Sequence, residues 1–341
     1  MRPNIDHFIQ TLRRTGTGYI PIAELGIHPT VKERFLGRPI RSLRDEADFW
    51  LQAGYDYVKL QPGADFNPGR AGAETRVTYN PDGTVFRKWA SEGKGIITSD
   101  EDLDRYTFPE PDDFDYERFR EIRGFLPPGM GVIGQYGDIF TMTWEMMGFE
   151  TFSIALYENP SLVERLNTRV GTLVLGMFEY LARSSDVEVL WYSDDIAYSD
   201  SLMVSPGALR KYFFPWLKKI GELAARSGKP LIYHSDGVLY GVMDEIIESG
   251  VTALHPIEPK AMEIGEVKAR YGNRLSLIGG VDVDLLARGT PDEVRQRVRD
   301  CIRLAGWDGG YCVGSGNSIP EYVKFENYTA MLDAARRFGG P

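Results

Sequence analysis

Eight short runs rich in β-branched and aromatic residues recur along the chain, at 18–24, 55–61, 131–137, 187–197, 229–236, 251–258, 274–282 and 309–316. Most are followed by a stretch with apolar residues at helical spacing. Runs such as Leu231-Ile-Tyr and Leu275-Ser-Leu-Ile are short and almost wholly apolar, the pattern of parallel strands buried on both faces. Thr290-Pro-Asp-Glu293 reads as a capping box with proline at the first helical position, ahead of a stripe of Val294, Val298, Cys301, Ile302 and Ala305. Ser42 opens another helix, with Leu43, Ala47, Trp50 and Leu51 on one face, and Ser205-Pro206 opens a third that Pro215 is expected to kink. Strands alternating with helices in this way predict an α/β fold, a (β/α)8 TIM barrel formed by residues 1–341 as a single domain. An open doubly wound sheet is the rival that periodicity does not exclude. Against a nucleotide-binding version of it, no G-x-G-x-x-G follows a strand and no G-x-x-x-x-G-K-[ST] occurs.

Residues 62–130 separate the second and third runs by too much for a simple crossover and read as an insertion. Within it, 74–79 and 84–89 flank Asn80-Pro-Asp-Gly83, a hairpin signal. That hairpin is expected to serve as a lid over the barrel mouth. The acidic stretch 99–117 is expected to be a solvated surface connection.

Composition narrows the partners. Lys and Arg total 39 against 49 Asp and Glu, a formal charge of −10, so the overall field does not draw in nucleic acid or anionic lipid. No run approaches a membrane span and the first residues lack the apolar centre of a secretion signal, so a cytoplasmic protein with a small-molecule substrate is expected. Cys301 and Cys312 are too few for a disulfide framework, and both read as buried apolar residues. No C-x-x-C, H-E-x-x-H or G-x-S-x-G occurs, which removes the usual zinc and serine-hydrolase arrangements.

In such a barrel the chemistry sits where strands end. The last six ends read Gly134-Gln-Tyr-Gly-Asp138, Trp191-Tyr-Ser-Asp-Asp195, Tyr233-His-Ser-Asp-Gly237, His255-Pro-Ile-Glu258, Gly279-Gly-Val-Asp282 and Gly314-Ser-Gly-Asn-Ser318. Five of the six carry a carboxylate. His234 and Asp236, two apart, project to the same side of an extended strand, where they could bind a metal or work as an acid–base pair. Of the adjacent Asp194 and Asp195 only one can face the mouth, and the other would brace the loop. His255 and Glu258 face opposite sides if their strand is regular, which Pro256 and Pro259 put in question; His255 reads as structural. The catalytic candidates are thus His234, Asp236, Asp195 and Glu258. The substrate-binding candidates are Gln135, Tyr136, Asp194, Asp282 and Asn317.

These strand ends also carry a resemblance to the uroporphyrinogen decarboxylase superfamily, which includes methyltransferases that work with corrinoid proteins. It extends over roughly residues 15–338. The most specific blocks are Trp191-Tyr-Ser-Asp-Asp-Ile with Leu202-Met-Val-Ser-Pro, Tyr233-His-Ser-Asp-Gly, Ile278-Gly-Gly-Val-Asp, Gly289-Thr-Pro-Asp-Glu-Val, and Gly309 through Ile319 with Glu326-Asn-Tyr-Thr-Ala-Met. The resemblance implies a barrel with its site at the C-terminal mouth and a homodimer. The decarboxylase branch, which needs no cofactor, binds its carboxylate-rich tetrapyrrole through R-Q-A-G-R-Y. Here the matching place reads Arg14-Thr-Gly-Thr-Gly-Tyr19, ahead of Glu24, and lacks the paired arginines. The methyltransferase branch binds zinc on H-x-C and a later Cys. The matching residues, His234, Asp236 and Asn317, are a harder set, open to zinc or another divalent metal or to a metal-free acid–base site in place of a zinc–thiolate centre. The closer likeness is therefore to a corrinoid-dependent methyltransferase, with a methylated corrinoid as methyl donor or acceptor and a corrinoid protein as partner. Decarboxylation of a porphyrinogen or a smaller acid is the alternative, and a ligand-binding barrel without chemistry is the third reading.

Overall fold

A computed structural model of the protein describes residues 2–16, 18–63, 66, 75–79, 85–90 and 95–340, with backbone only for 75–79 and 85–90. Seven parallel strands curl into a half-barrel in the order β1 (Tyr57–Leu60), β4 (Gly131–Gly137), β5 (Val189–Ser193), β6 (Leu231–His234), β7 (Ala253–Ile257), β8 (Ser276–Val281) and β9 (Tyr311–Ser315). Every residue of β4 through β9 is buried, as strands covered by helices on one face and by one another on the other must be. Two further strands, β2 (Thr75–Tyr79) and β3 (Val85–Ala90), pair antiparallel where the sequence signals a hairpin. The turn residues Asn80 and Gly83 lie outside the described residues, and so does any test of a lid.

The first expected strand, 18–24, is the one that departs. It forms an isolated parallel bridge, Ile22 to Val313 of β9, instead of a ladder. Pro21 explains part of this, because it has no N–H and offers β9 only its carbonyl, which accepts from Val313 at 2.9 Å. Toward β1 a side chain takes the place of the backbone. The Tyr57 hydroxyl accepts from the Glu24 amide at 2.9 Å and lies 3.3 Å from the Glu24 carbonyl. The Glu24 carboxyl meanwhile accepts from the amide and hydroxyl of Ser315, at 2.6 and 2.7 Å. The wall is thus a ladder of seven strands with a seam fastened by side chains.

Helix starts follow the sequence. Thr290 and Glu293 form the capping box of Pro291–Ala305, and Val294, Val298, Cys301 and Ala305 are its buried stripe. Ser42 caps Leu43–Gln52 through Asp45 N. The helix expected after Ser205 breaks at Phe213 into Pro206–Tyr212 and Phe214–Ser227, two residues before Pro215. The acidic stretch is more ordered than a solvated connection. It holds a helix, Asp100–Arg105, with its own Ser99/Asp102 capping box, and Arg165 of the long helix Pro160–Arg183 pairs with both Asp100 and Asp104. None of the described helices is long and apolar enough to cross a membrane.

Where β4 meets β5 the backbones approach closely, and a Cβ on Gly137 would collide with the Ser193 carbonyl. Gly137→Ala is expected to destabilise the fold by about 3 kcal/mol, since backbone cannot give way as a flexible side chain can. Urea unfolding of the variant checks this, and an unchanged midpoint would count against the close approach.

Candidate active site

His234 is the last residue of β6 and is only 6% exposed, with Asp195 just past the end of β5 and Asp236 two residues beyond. Its Nε2 lies 3.6 Å from Asp195 Oδ1 and 3.8 Å from Asp236 Oδ1. One ligand atom from each of the three falls within 4.8 Å of the others, so a single cation could reach all of them. Backbone and side chains hold the carboxylates in place. The Asp236 amide donates to Asp195 Oδ1 at 2.9 Å, and Asn317 Nδ2 donates to Asp236 Oδ2. Glu258 stands one step back, with Oε2 accepting from the Gly237 amide at 3.1 Å. Asn317 of the expected metal set therefore contacts Asp236, and Asp195 stands beside the other two.

Beneath His234 lies His255, fully buried, with the two Nδ1 atoms 2.7 Å apart and the ring edge-on to Trp191 at 5.0 Å. This contact makes His255 a buried partner of His234. The ladder between β7 and β8 slips between Leu254 and Ile257, as it must where Pro256 can donate no bond, so alternation fails to say which way His255 and Glu258 point. Burial lowers the pKa of His234, and Lys59 lowers it further against an opposing pull from Asp195. His255 falls well below the ordinary histidine value through burial, then through His234 and Lys59. Both imidazoles are therefore neutral at neutral pH, whatever the proximity of Asp195 alone would suggest.

Facing them from the far wall is a polar relay. Lys59 Nζ and Gln61 Nε2 both donate to Gln135 Oε1, at 3.0 and 2.6 Å, and Gln135 Nε2 donates to the Ser193 hydroxyl at 3.1 Å. The Tyr136 hydroxyl is engaged with the backbone of Phe66. Gln135, Tyr136, Gln61, Asp138, Asp195 and His234 border a cavity of about 200 Å3. A second cavity, about 520 Å3, is lined by Glu258, Asp282 and Asn317 among others.

Two expected substrate-binding carboxylates border these cavities but are held by neighbouring backbone amides. Asp194 accepts from the amides of Phe140 and Thr141 at 2.7 and 2.9 Å and from the Tyr192 hydroxyl at 2.5 Å, so it braces the first turn of Ile139–Met147. Burial raises its pKa to about 6 against those bonds. Asp282 accepts from the Asp284 amide at 2.8 Å and caps Val283–Arg288. Of the adjacent pair it is thus Asp195 that faces the mouth, because a strand end can aim only one of two neighbours inward. Neither cysteine takes part. Cys312 is fully buried and Cys301 contacts the Gly280 carbonyl, and burial pushes the Cys301 thiol up to about 11. Arg14 packs beside Gly310, ahead of β9 and at the opposite end of the barrel from the mouth.

The pattern that defines the uroporphyrinogen decarboxylase (URO-D) family matches residues 93–338. The chain belongs to that family. It is 21% identical over 294 residues to the uroporphyrinogen decarboxylase of Neisseria gonorrhoeae, covering 81% of this chain and 80% of that one. With the uroporphyrinogen decarboxylase of Anaeromyxobacter dehalogenans it shares 25% over 250 residues, 70% and 68% of the two chains. A methyltransferase from Methanosarcina mazei superposes with a TM-score of 0.71 at 17% identity, over 97% of this chain and 98% of that one, a likeness of fold. Lys59, Gln61 and Ser193 are the site residues that sequence reasoning passed over. The signal was there for one of them, since Lys59 is a charged residue inside an apolar strand run.

Proposed function

We propose that this member of the family is a methyltransferase that uses a methylated cobamide as donor, with Asp195, His234 and Asp236 holding a divalent cation at the barrel mouth. The observation that carries the reading is the donor set itself, an imidazole and two carboxylates converging within 4.8 Å, with no thiol among the cluster's residues. Carboxylate and imidazole suit Mn2+, Fe2+ or Zn2+ without thiolate support. A cation bound there would lower the pKa of a heteroatom on the methyl acceptor. The chain's own work is to orient and to move a proton. Asn317 and the Asp236 amide fix the two carboxylates, and Gln61 and Gln135 offer amides to the acceptor. Asp195, whose side chain is 45% exposed, is placed to carry the acceptor's proton out to solvent.

The family name invites decarboxylation of a porphyrinogen, and the lining argues against it. A substrate bearing many carboxylates needs cationic partners. The smaller cavity is bordered by Asp138, Asp194 and Asp195 and, among the described residues, by no arginine. The test is metal analysis of the purified protein, with methylcobalamin demethylation assayed against thiols and phenols. Stoichiometric divalent metal and acceptor-dependent demethylation are expected. Loss of carboxyl groups from uroporphyrinogen, or neither metal nor turnover, would overturn the proposal.

A further inference from the structure

The hydrogen-bond relay that ends at Ser193 has a direction, and its first member fixes it. An ammonium only donates, so the atom 3.0 Å from Lys59 Nζ must be the oxygen of the Gln135 amide and not its nitrogen. Gln61 Nε2 gives a second hydrogen to the same oxygen at 2.6 Å. The Gln135 nitrogen is thereby turned to the other side, where it donates to Ser193 Oγ at 3.1 Å. Ser193 accepts in that bond, so its own hydrogen must go elsewhere. Among the described residues no acceptor receives it.

The open side of Ser193 is the cavity. Ser193 ends β5 in register with His234 of β6, and paired residues of neighbouring parallel strands project to the same face. Ser193, Gln135, Gln61, His234 and Asp195 border one cavity, and Ser193 is only 8% exposed. A buried hydroxyl whose hydrogen meets no protein acceptor is a donor held for something else. The chain from ammonium through amide to hydroxyl is also polarised in one sense along its length, which strengthens the last donor.

We propose that Ser193 is a specificity-determining residue whose hydroxyl donates to a lone-pair atom of the methyl acceptor beside the atom that is methylated. The acceptor then carries a hydroxyl, carbonyl or ether oxygen at that place and not an ammonium, which has three donors and nothing to accept with. The preference runs against the lining charge, since Asp138, Asp194 and Asp195 border the cavity and by themselves favour a cation. Lys59 is a positioning residue that acts on the ligand through Ser193. Without it both glutamine amides can turn over, and the Gln135 oxygen takes the serine hydrogen out of the cavity. The inference rests on the preceding reading only in taking this cavity as the one that receives the acceptor.

The probes are 2-mercaptoethanol and cysteamine, which differ only by a hydroxyl against an ammonium. Their binding to metal-free protein is read from the line broadening of the ligand NMR signals. The wild type is expected to bind 2-mercaptoethanol about tenfold more tightly, the scale of one buried donor satisfied against one opposed. Ser193→Ala is expected to abolish the preference. Lys59→Met is expected to lose it as well, and Ser193→Ala is expected to change nothing further in that background. Cysteamine bound as tightly as 2-mercaptoethanol by the wild type, binding of neither, or losses from the two substitutions that multiply overturns the proposal. Neutron diffraction of the wild type decides the direction of the relay even if a variant fails to fold. A deuterium on Ser193 Oγ aimed into the cavity is expected, and one on the line to Gln135 overturns the proposal. Absence of methyl transfer alongside the expected preference would sink the catalytic reading and leave this one standing.

Discussion

Asp236→Asn is expected to cut divalent-cation affinity by about a hundredfold or more and to remove methyl transfer with it. Substitutions around a metal's ligands alone usually cost 10- to 100-fold, and Asp236 is proposed as a ligand. The replacement keeps shape and removes one negative charge from a cluster of two carboxylates and a neutral imidazole. Its side chain is 30% exposed, so the fold has little stake in it. Asn317→Ala gives the graded comparison. It leaves all three ligand atoms and deletes the bond that orients Asp236, so a loss of about tenfold is expected, at the low end of the same range. Titration calorimetry with Mn2+ on wild type and both variants reads the series. Equal affinities across the three would mean that a cation, if bound at all, sits elsewhere.

Glu24→Gln is expected to change how stability depends on pH more than any other single substitution outside the mouth. Glu24 is fully buried, and burial raises its pKa from 4.5 to about 8 despite the two bonds from Ser315. A carboxyl whose folded pKa lies above its unfolded value holds an extra proton in the native state. Its stabilising contribution is therefore complete below pH 4.5 and disappears as pH climbs through 8. Over that interval the effect is on the order of 4 kcal/mol. Asp194 acts with the same sign between 3.8 and about 6, and the lowered pKa values of His234 and His255 act oppositely as pH falls through 6.5. The difference between wild type and variant isolates Glu24 from these. Urea melts at pH 5 and pH 9 should show near-equal midpoints at the lower pH and a more stable variant at the higher. A parallel decline in both proteins would place the titration on another group.

Much of the site was readable because position along a strand is readable. Apolar runs ending in Asp, His or Glu locate a barrel mouth without any coordinates, and they put His234, Asp236, Asp195, Glu258 and Asn317 in one neighbourhood. What alternation could not supply was direction at irregular places. His255 went unrecognised as a partner of His234 because a proline in the strand shifts the register on which the parity argument depends. Asp194 and Asp195 were separable only once the start of Ile139–Met147 was seen to claim the first. Lys59 was hidden for another reason. One cation in an apolar strand looks like an edge or surface residue until a glutamine two strands' worth of sequence away, Gln135, is found opposite it. The run at 18–24 has strand composition and still forms no ladder, because Pro21 and the Tyr57 phenol take over the contacts that backbone groups would make.

That last exchange has a bearing on how the protein avoids sticking to itself. A strand hydrogen-bonded on one side only is a template on which a foreign chain can add, and β1 is such a strand at one end of the seven-stranded sheet. The plug of residues laid against it, pinned by one phenol and one protonated carboxyl, acts as a built-in guard rail. Anything that loosens those two pins bares an adhesive border long before the catalytic end of the molecule is disturbed.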